Sequence, residues 1–494
     1  MTGQIMPFWL KQRAFLTPQR TALIGDGEKV TFAELDRRAR HLASCLAGLG
    51  IKQGDHVALL MPNRVLTVEL IHAIAYLGAV TVPLNTRLTP PELAWQLNDV
   101  NASLLIYDAV YSDKINGLRD QVTCLIHDAN CLKGRRHSNV NLKEHIDLDD
   151  VHTIIYTSGT TGRPKGTLLT FGNHWWSAIG SSLNLGLNRN DRWLCCLPLF
   201  HVSGLSIIMR SVIYGMTVVL HDKFDPVRVN ESIKRDKVTM ISVVTAMLSA
   251  MLDNLSDPGY PQHLRCVLLG GGPAPLPLLE TCVSRSIPVY QTYGLTETAS
   301  QIVTLSPDHL LAKVGSAGKP LFPAQLRIVN NGKEVKAGEV GEIVVKGPNV
   351  TRGYYKQEEA TAQAIQGGWL YTGDMGYVDE EGFLYVLDRR DDLIISGGEN
   401  VYPAEVEAAL LTHPDIKEAG VTGMPDPQWG EVPVAFIVTR PGVKLTEAEL
   451  NQLCNKLLAR YKVPKAFYFV NRLPRNASNK LLRRELRALI RQQG

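Results

Sequence analysis

Between residues 31 and 110 the apolar positions follow two alternating rhythms. Thr31-Phe32-Ala33-Glu34-Leu35 reads as a threonine-capped helix start, and the apolar residues after it recur at helical spacing. The apolar run His56-Val57-Ala58-Leu59-Leu60 predicts a strand, followed by a helix from about Val65 and a strand over 79–83. A further helix around 91–97 and a strand over 103–107 come next. Near-continuous apolar strands separated by helices predict a parallel sheet covered on both faces. The alternation resumes from 190 to 305, with strands expected at 193–197, 217–220, 240–244, 266–269 and 289–293. From 314 to 390 the period shortens. Gln325-Leu326-Arg327-Ile328-Val329, Gly341-Glu342-Ile343-Val344-Val345 and Phe383-Leu384-Tyr385-Val386-Leu387 alternate, with Asn331-Gly332 as a turn, predicting mostly antiparallel strands. Past the charged run Asp388-Arg389-Arg390-Asp391-Asp392 lie a helix from Pro403, strands at 418–422 and 432–438, a helix over 446–460 and a strand at 466–470.

The predicted fold class is therefore α/β. A large N-terminal domain (1–388) has α/β layers with parallel sheets and a β subdomain near 314–388, and a small, mobile α+β domain follows (389–494). A length of 494 residues agrees with more than one core. A net charge of +4, dispersed along the chain, gives no footprint for nucleic acid. The eight cysteines include no C-x-x-C pair and mostly sit in apolar runs, which predicts free thiols and no zinc site. The first fifteen residues lack a signal-peptide core. The most apolar stretch, 66–84, is broken by Glu69 and His72 and ends on Pro83, so it reads as a buried helix and strand, not a membrane span. A cytoplasmic protein without membrane insertion is expected; whether it forms a homo-oligomer is left open.

Polar chemistry concentrates in Thr157-Ser158-Gly159-Thr160-Thr161-Gly162-Arg163-Pro164-Lys165-Gly166, which leaves the apolar strand 151–156. Glycines permit close backbone approach, and free N–H groups, hydroxyls and a lysine suit phosphate oxygens. The G-x-x-x-x-G-K-[ST] spacing is absent, because Pro164 precedes the lysine and Gly166 follows it. Composition alone equally describes a flexible Ser/Thr/Gly surface loop. The chain then runs through Thr170-Phe171-Gly172-Asn173-His174, read as entry into a helix.

Four further stretches bear on this loop. Tyr293-Gly294-Leu295-Thr296-Glu297-Thr298 follows a predicted strand and offers an aromatic face, a hydroxyl and a carboxylate able to hold Mg²⁺ between phosphates. Leu269-Gly270-Gly271-Gly272-Pro273 lets a flat ring approach bare backbone, or simply makes a tight turn. Asp374, in Thr372-Gly373-Asp374-Met375-Gly376, can accept ribose hydroxyls or cap a turn. Lys480, in Pro474-Arg475-Asn476-Ala477-Ser478-Asn479-Lys480, is either solvated or carried by a mobile domain into a phosphate site.

Together, and in this order over roughly residues 10–485, these motifs resemble the acyl-adenylate-forming enzymes: acyl-CoA synthetases, luciferases and the adenylation domains of peptide synthetases. Within that family the chain is most similar to the o-succinylbenzoate–CoA ligase branch of menaquinone synthesis. That similarity rests on Thr170-Phe171-Gly172-Asn173-His174, Pro198-Leu199-Phe200-His201-Val202-Ser203-Gly204-Leu205, Ile213-Tyr214-Gly215-Met216-Thr217, Thr298-Ala299-Ser300-Gln301-Ile302-Val303-Thr304-Leu305 and the stretch ending at Lys480. The resemblance implies ATP, Mg²⁺ and CoA as reactants, with o-succinylbenzoate as the acid. It implies that Thr157, Ser158, Gly159, Thr160, Thr161, Gly162 and Lys165 hold the β- and γ-phosphates. Thr296 would contact the α-phosphate and Glu297 the metal. Tyr293 would stack on adenine opposite Gly271 and Gly272, and Asp374 and Arg389 would bind ribose. His201, Ser203, Thr298, Ser300 and Gln301 would line the acyl pocket. Asp391 would be the hinge, and Ser396, Gly397 and Gly398 would border the CoA site. Lys480, Thr296, Glu297 and His201 form the implied catalytic set. Two positions depart from the wider pattern, Asn479 and Asp388, where glycine is usual; neither removes a functional group.

The implied chemistry is a two-step ligation in which Lys480 serves adenylation and then swings away for CoA. The rival expectations are a CoA ligase for another aryl or medium-chain acid, and a nucleotide-binding regulator without catalysis. Pyrophosphate release with a panel of acids separates them.

Overall fold

Strand His56–Leu60 stands at the centre of a six-stranded sheet in the order Lys165–Thr170, Val151–Thr157, Val80–Pro83, His56–Leu60, Leu104–Tyr107, Leu125–Asp128. All pairings are parallel except that of Lys165–Thr170 with Val151–Thr157. The computed structural model describes residues 4–132, 140–157, 164–256, 259–271, 274, 276–389, 394–401, 403–474 and 483–493.

A second sheet carries six parallel-linked strands in the order Val289–Leu295, Cys266–Gly270, Met240–Val244, Arg192–Cys195, Thr217–Leu220, Thr21–Gly25. The strands expected at 217–220 and 240–244 have the predicted bounds. The β subdomain is antiparallel as expected, through Ser316–Pro320, Gln325–Asn330, Gly341–Lys346, Trp369–Val378 and Leu384–Arg389. It is not a separate sheet, however. Ser300–Leu305 pairs antiparallel with both Val289–Leu295 and Ser316–Pro320, so the two halves form one continuous sheet.

Helix Val65–Tyr76 lies between the two large sheets, with eleven of its twelve residues buried. A helix apolar all round belongs in such a core. Its one carboxylate, Glu69, is compensated by Arg38 at 3.1 Å, as a buried charge requires. The stretch 66–84 is thus the buried helix and strand that its pattern predicted. Helix Phe32–Gly48 starts with the expected cap: Thr31 and Glu34 form a reciprocal capping box.

The small domain has its own five-stranded sheet, led by the hairpin Ile416–Asp426 with Gly430–Thr439, and a separate core around Val421, Ala435, Leu450 and Cys454. No helix among the described residues is long and apolar enough to cross a membrane, and all eight cysteines are free thiols.

The helix entry expected at Thr170-Phe171-Gly172-Asn173-His174 is found there, but a strand that the sequence reading did not name precedes it. The glycine-rich loop does not run into a helix; the strand Lys165–Thr170 intervenes and pairs back on Val151–Thr157. Helix Phe171–Leu185 begins only after it, capped by Thr170 and Asn173. The described residues on either side of the loop are therefore two paired antiparallel strands. The signal was present in Thr167-Leu168-Leu169-Thr170, a β-branched and apolar run.

Candidate active site

In the second sheet the chain passes from Arg192–Cys195 to Thr217–Leu220 on one side, then crosses to Met240–Val244 on the other. That reversal is a topological switch point, and ligands of open α/β sheets bind beyond the carboxyl ends of the strands there. Four segments leave those ends. His201 follows the first strand, Val244 closes the third, Gly271 follows the fourth, and Thr296 and Glu297 follow Val289–Leu295.

The turn at 293–300 is tightly built. A Cβ on Gly294 would lie 1.9 Å from the carbonyl oxygen of Ser300, so only glycine lets the strand fold over at the bulge after Tyr293. Ala299 and Ser300 have φ of +51° and +101°. Such backbone in non-glycine residues persists where surrounding structure over-determines it, as at functional sites. The Thr298 hydroxyl receives Leu295 N–H at 2.8 Å and donates to the carbonyls of Leu295 and Ser300. With that side chain fully buried, the Thr298 hydroxyl holds the turn together. Ser300 Oγ lies 3.5 Å from Ser206 Oγ. Gln301 is 2% exposed, and its amide atoms have no protein partner among the described residues. Ser203, half-buried in the first turn of helix Val202–Tyr214, accepts through its carbonyl from Ser206.

Glu297 and Lys165 meet around a residue that sequence reasoning missed. Tyr354 Oη donates to Glu297 Oε1 at 3.0 Å, and Lys165 Nζ lies 5.2 Å from the Tyr354 ring centroid. Segment 351–355 sews the glycine-rich hairpin to the Thr296–Thr298 turn. Thr351 N donates to the Glu297 carbonyl at 2.7 Å, Leu168 N to Gly353 O at 3.0 Å, and Tyr355 N to Gly166 O at 2.8 Å. Its signal was Gly353-Tyr354-Tyr355, a short aromatic pair with no periodicity to mark it. Burial pushes the Glu297 carboxyl up, and the nearby Asp374 adds to that, against the hydrogen bond from Tyr354 and the charge of Lys165. Such a desolvated carboxylate suits a hard cation. Among the described residues no group of three or more His, Cys, Asp or Glu could hold a metal. Mg²⁺ keeps its waters and takes one or two carboxylates plus phosphate oxygens, so the buried carboxylate of Glu297 is a donor of the right kind.

Tyr293 Oη donates to Asp374 Oδ2 at 2.7 Å, joining the expected adenine and ribose residues. Tyr293 is 7% exposed, so it offers a purine only a narrow part of its ring. Asp374 pairs in register with Arg389 across the hairpin. Gly271, at φ +87°, packs against Val244, with its Cβ position 3.1 Å from Val244 Cγ1. Thr157 and Lys165 face each other across the hairpin base. Ser158, Gly159, Thr160, Thr161, Gly162, Gly272, Asp391 and Lys480 lie outside the described residues.

The small domain reaches the same place. Ser396 pairs with Glu399 across the two-residue turn Gly397-Gly398, whose φ values are +57° and +81°. Two consecutive positive φ values make a tight hairpin that demands glycines. The Cβ position of Gly398 is 3.4 Å from Val244 Cγ2, so this turn and Gly271 flank one side chain. Glu399 receives His201 Nε2 at 3.2 Å and Arg87 Nη1 at 2.6 Å. Burial pushes the Glu399 carboxyl up, but His201 together with the charges of Arg87 and Lys462 outweighs it and holds the group below the usual carboxylate range. Neither Arg87 nor the Glu399–His201 contact was legible in the sequence, since their partners lie about two hundred residues or more away.

Residues 10–355 match the model of the AMP-binding enzyme family, and residues 405–480 match the AMP-binding enzyme C-terminal domain. The chain belongs to the AMP-binding enzyme family. Across 486 residues it is 59% identical to a 2-succinylbenzoate–CoA ligase of Geobacillus kaustophilus, covering 98% of both chains. To a ligase of the same name from Bacillus cytotoxicus it is 55% identical, covering 99% of both. Among solved AMP-binding enzymes it resembles o-succinylbenzoate CoA synthetase (MenE) of Bacillus subtilis at 49% identity. The double mutant bound with its product analogue OSB-NCoA has a TM-score of 0.94, covering 98% of this chain and 99% of that one. The complex with ATP and magnesium ion has a TM-score of 0.77, covering 98% and 100%. A TM-score over a two-domain chain falls when one domain is turned against the other. The arrangement of this AMP-binding enzyme is thus that of the product-analogue complex, in keeping with the Gly397-Gly398 turn standing at Val244.

Proposed function

We propose that the chain is an AMP-forming acid–CoA ligase that converts o-succinylbenzoate, ATP and CoA to o-succinylbenzoyl-CoA, AMP and pyrophosphate, in menaquinone biosynthesis. The observation that carries this reading is the convergence of three parts at one switch point: the Glu297–Tyr354–Lys165 cluster, the His201 side, and the small domain's Gly397-Gly398 turn. Near-full-length identity of 59% to a ligase of that name supports the acid.

In the first step an oxygen of the succinyl carboxylate attacks the α-phosphorus, and the bond to the bridging oxygen of pyrophosphate breaks. The carboxylate is ionised at neutral pH and needs no base. Positioning and charge neutralisation are the protein's part. Lys165 and the glycine-rich hairpin hold the leaving pyrophosphate, Thr296 contacts the α-phosphate, and Lys480 completes the positive surround. Mg²⁺, when bound at Glu297, supplies charge to the phosphate oxygens. Tyr293, Gly271, Asp374 and Arg389 seat the nucleoside. In the second step the CoA sulfur, having lost its proton, attacks the acyl carbon and the C–O bond to AMP breaks. The turn Ser396, Gly397, Gly398 borders the path of that thiol, and Asp391 is the pivot that exchanges it for Lys480.

The acid carries a second carboxylate on its ring, and Arg210 is suited to balance it. Arg210 is 2% exposed in helix Val202–Tyr214, one turn beyond Ser206, and no carboxylate pairs with it among the described residues. Its Nη2 lies 3.4 Å from Ser177 Oγ, which donates to Ala299 O at 2.6 Å, beside Ser300. Its Nε has no protein partner among the described residues. Its guanidinium carbon lies 5.3 Å from the centroid of the Trp193 ring, and a ligand carboxylate would add the charge partner that the described residues do not supply.

The test is pyrophosphate release from ATP with o-succinylbenzoate, benzoate and a medium-chain fatty acid, then AMP and thioester formation on adding CoA. Release strongest with o-succinylbenzoate, followed by CoA-dependent thioester, is expected. ATP binding without acid-dependent release would overturn the reading.

A further inference from the structure

Large-domain segment 85–92 carries four contacts to the small domain within eight residues. Asn85 Nδ2 donates to Tyr461 Oη at 3.2 Å, and Arg87 reaches Glu399. Thr89 Oγ1 lies 3.0 Å from Leu457 O, and Glu92 Oε1 accepts from Lys462 Nζ at 2.9 Å. Lys462 is 3% exposed and also donates to Glu405 Oε1, on its own domain, at 2.7 Å. Next to it Ala459 packs into the large-domain cluster of Leu84, Leu88 and Leu93. One ammonium therefore sits buried between a carboxylate from each domain.

The aim of Glu92 is fixed locally. Its Oε2 accepts from Thr89 N at 2.9 Å and from Thr89 Oγ1 at 2.8 Å, the capping box that starts helix Pro90–Asp99. The cap thus points the other carboxylate oxygen across the domain boundary. The cluster is also built to part. When the small domain turns away, Lys462 keeps Glu405, and Glu92 regains water while still capping its helix. Two carboxylates on one ammonium leave an excess negative charge, and Glu405 Oε2 has no protein partner among the described residues, which limits the strength of the assembly. An interaction formed in only one of two arrangements shifts their balance by its own free energy and no more.

We propose that Glu92 is a positioning residue for the CoA step: through Lys462 it docks the small domain with the Gly397-Gly398 turn at the site, and it has no part in adenylation. This rests on the two-step reading above. It adds a device that acts more than one residue-layer away from the reacting groups and governs how much of the enzyme is ready for the thiol.

Glu92→Gln tests it, because glutamine retains the helix cap and removes the charge. Acyl-adenylate formation, followed by pyrophosphate release without CoA, should stay within about twofold of the parent. Thioester formation from supplied acyl-adenylate should fall about tenfold, the scale of one charged hydrogen bond. Energy transfer between dyes on the two domains should show a smaller docked population on adding CoA, and Glu92→Asp should restore part of both. Equal loss of both half-reactions, or an unchanged thioester rate and unchanged transfer, would overturn the proposal. If the parent enzyme failed to release pyrophosphate with o-succinylbenzoate, the functional reading would be at fault. The dye measurement on Glu92→Gln would then judge the docking role alone.

Discussion

His201 Nε2 lies 3.2 Å from Glu399 Oε2, so a histidine at a strand end of the large domain is held by a carboxylate of the small one. The contact is made with the Gly397-Gly398 turn beside Val244. It ties the geometry of the second half-reaction to the protonation of one group.

That group predicts a pH dependence. The Glu399 carboxyl is held below its usual range in the docked arrangement, so docking gains from it at neutral pH. The gain is lost as pH falls through the ordinary carboxylate range, about 4–4.5, and on through the depressed value. Thioester formation from supplied acyl-adenylate should therefore decline on the acid side more steeply than adenylation does. Glu399→Gln should remove the extra acid limb and lower the neutral-pH thioester rate about tenfold. Parallel acid limbs for the two half-reactions in the parent enzyme would contradict this.

Glu297 predicts a conflict between activity and stability. Its carboxyl is pushed up by burial, so the ionised form costs the folded protein stability at neutral pH, and that cost fades as pH falls through the raised value and is gone below the ordinary carboxylate range. Glu297→Gln should raise the melting temperature at pH 7 by about 1–2 °C and lower adenylation about 10²–10³-fold. Tyr354→Phe, which removes only the donor to Glu297, should cost about 2–10-fold in adenylation. Thermal melts beside pyrophosphate release check both. A destabilised but active Glu297→Gln would refute the assignment.

What was legible in the sequence follows from range. Helix Phe32–Gly48 and the apolar strands declared themselves because capping and periodicity are local. The residues at the strand ends carried recognisable motifs, and Glu297, Lys165, Tyr293 and Asp374 do come together. Tyr354, Arg87 and Arg210 were not legible, because their roles arise from partners brought near by the fold. Thr298 shows the same limit at short range: its hydroxyl bonds within the turn that aims its neighbours, a structural task that its motif did not announce.

Arg210 gives a prediction about acid choice. If its guanidinium balances the ring carboxylate, Arg210→Met should raise the KM for o-succinylbenzoate about 10–100-fold, the loss of a charge-assisted pair. The rate with an analogue lacking the ring carboxylate should change little. Methionine fills a similar volume, and replacing a buried unpaired charge by an apolar chain is often neutral or stabilising. Melting temperature measured alongside separates a lost partner from a damaged core. Equal loss with both acids would place Arg210 in packing alone.

Lys480 gives the sharpest test of the division of labour. On the function proposed above, the arrangement here, with the Gly397-Gly398 turn beside Val244, serves the thiol step, in which a lysine serving adenylation would have no task. Lys480→Ala should thus lower adenylation about 10²–10⁴-fold, the effect of removing one preorganised charge from a phosphate site. Thioester formation from supplied acyl-adenylate should persist. Asp391→Pro should do the reverse, because proline fixes φ at the pivot. Adenylation would then survive while the CoA step stops. Measured side by side, the two variants should each lose one half-reaction and keep the other; a single variant that lost both equally would show that the lysine and the turn do not take the site by exchange.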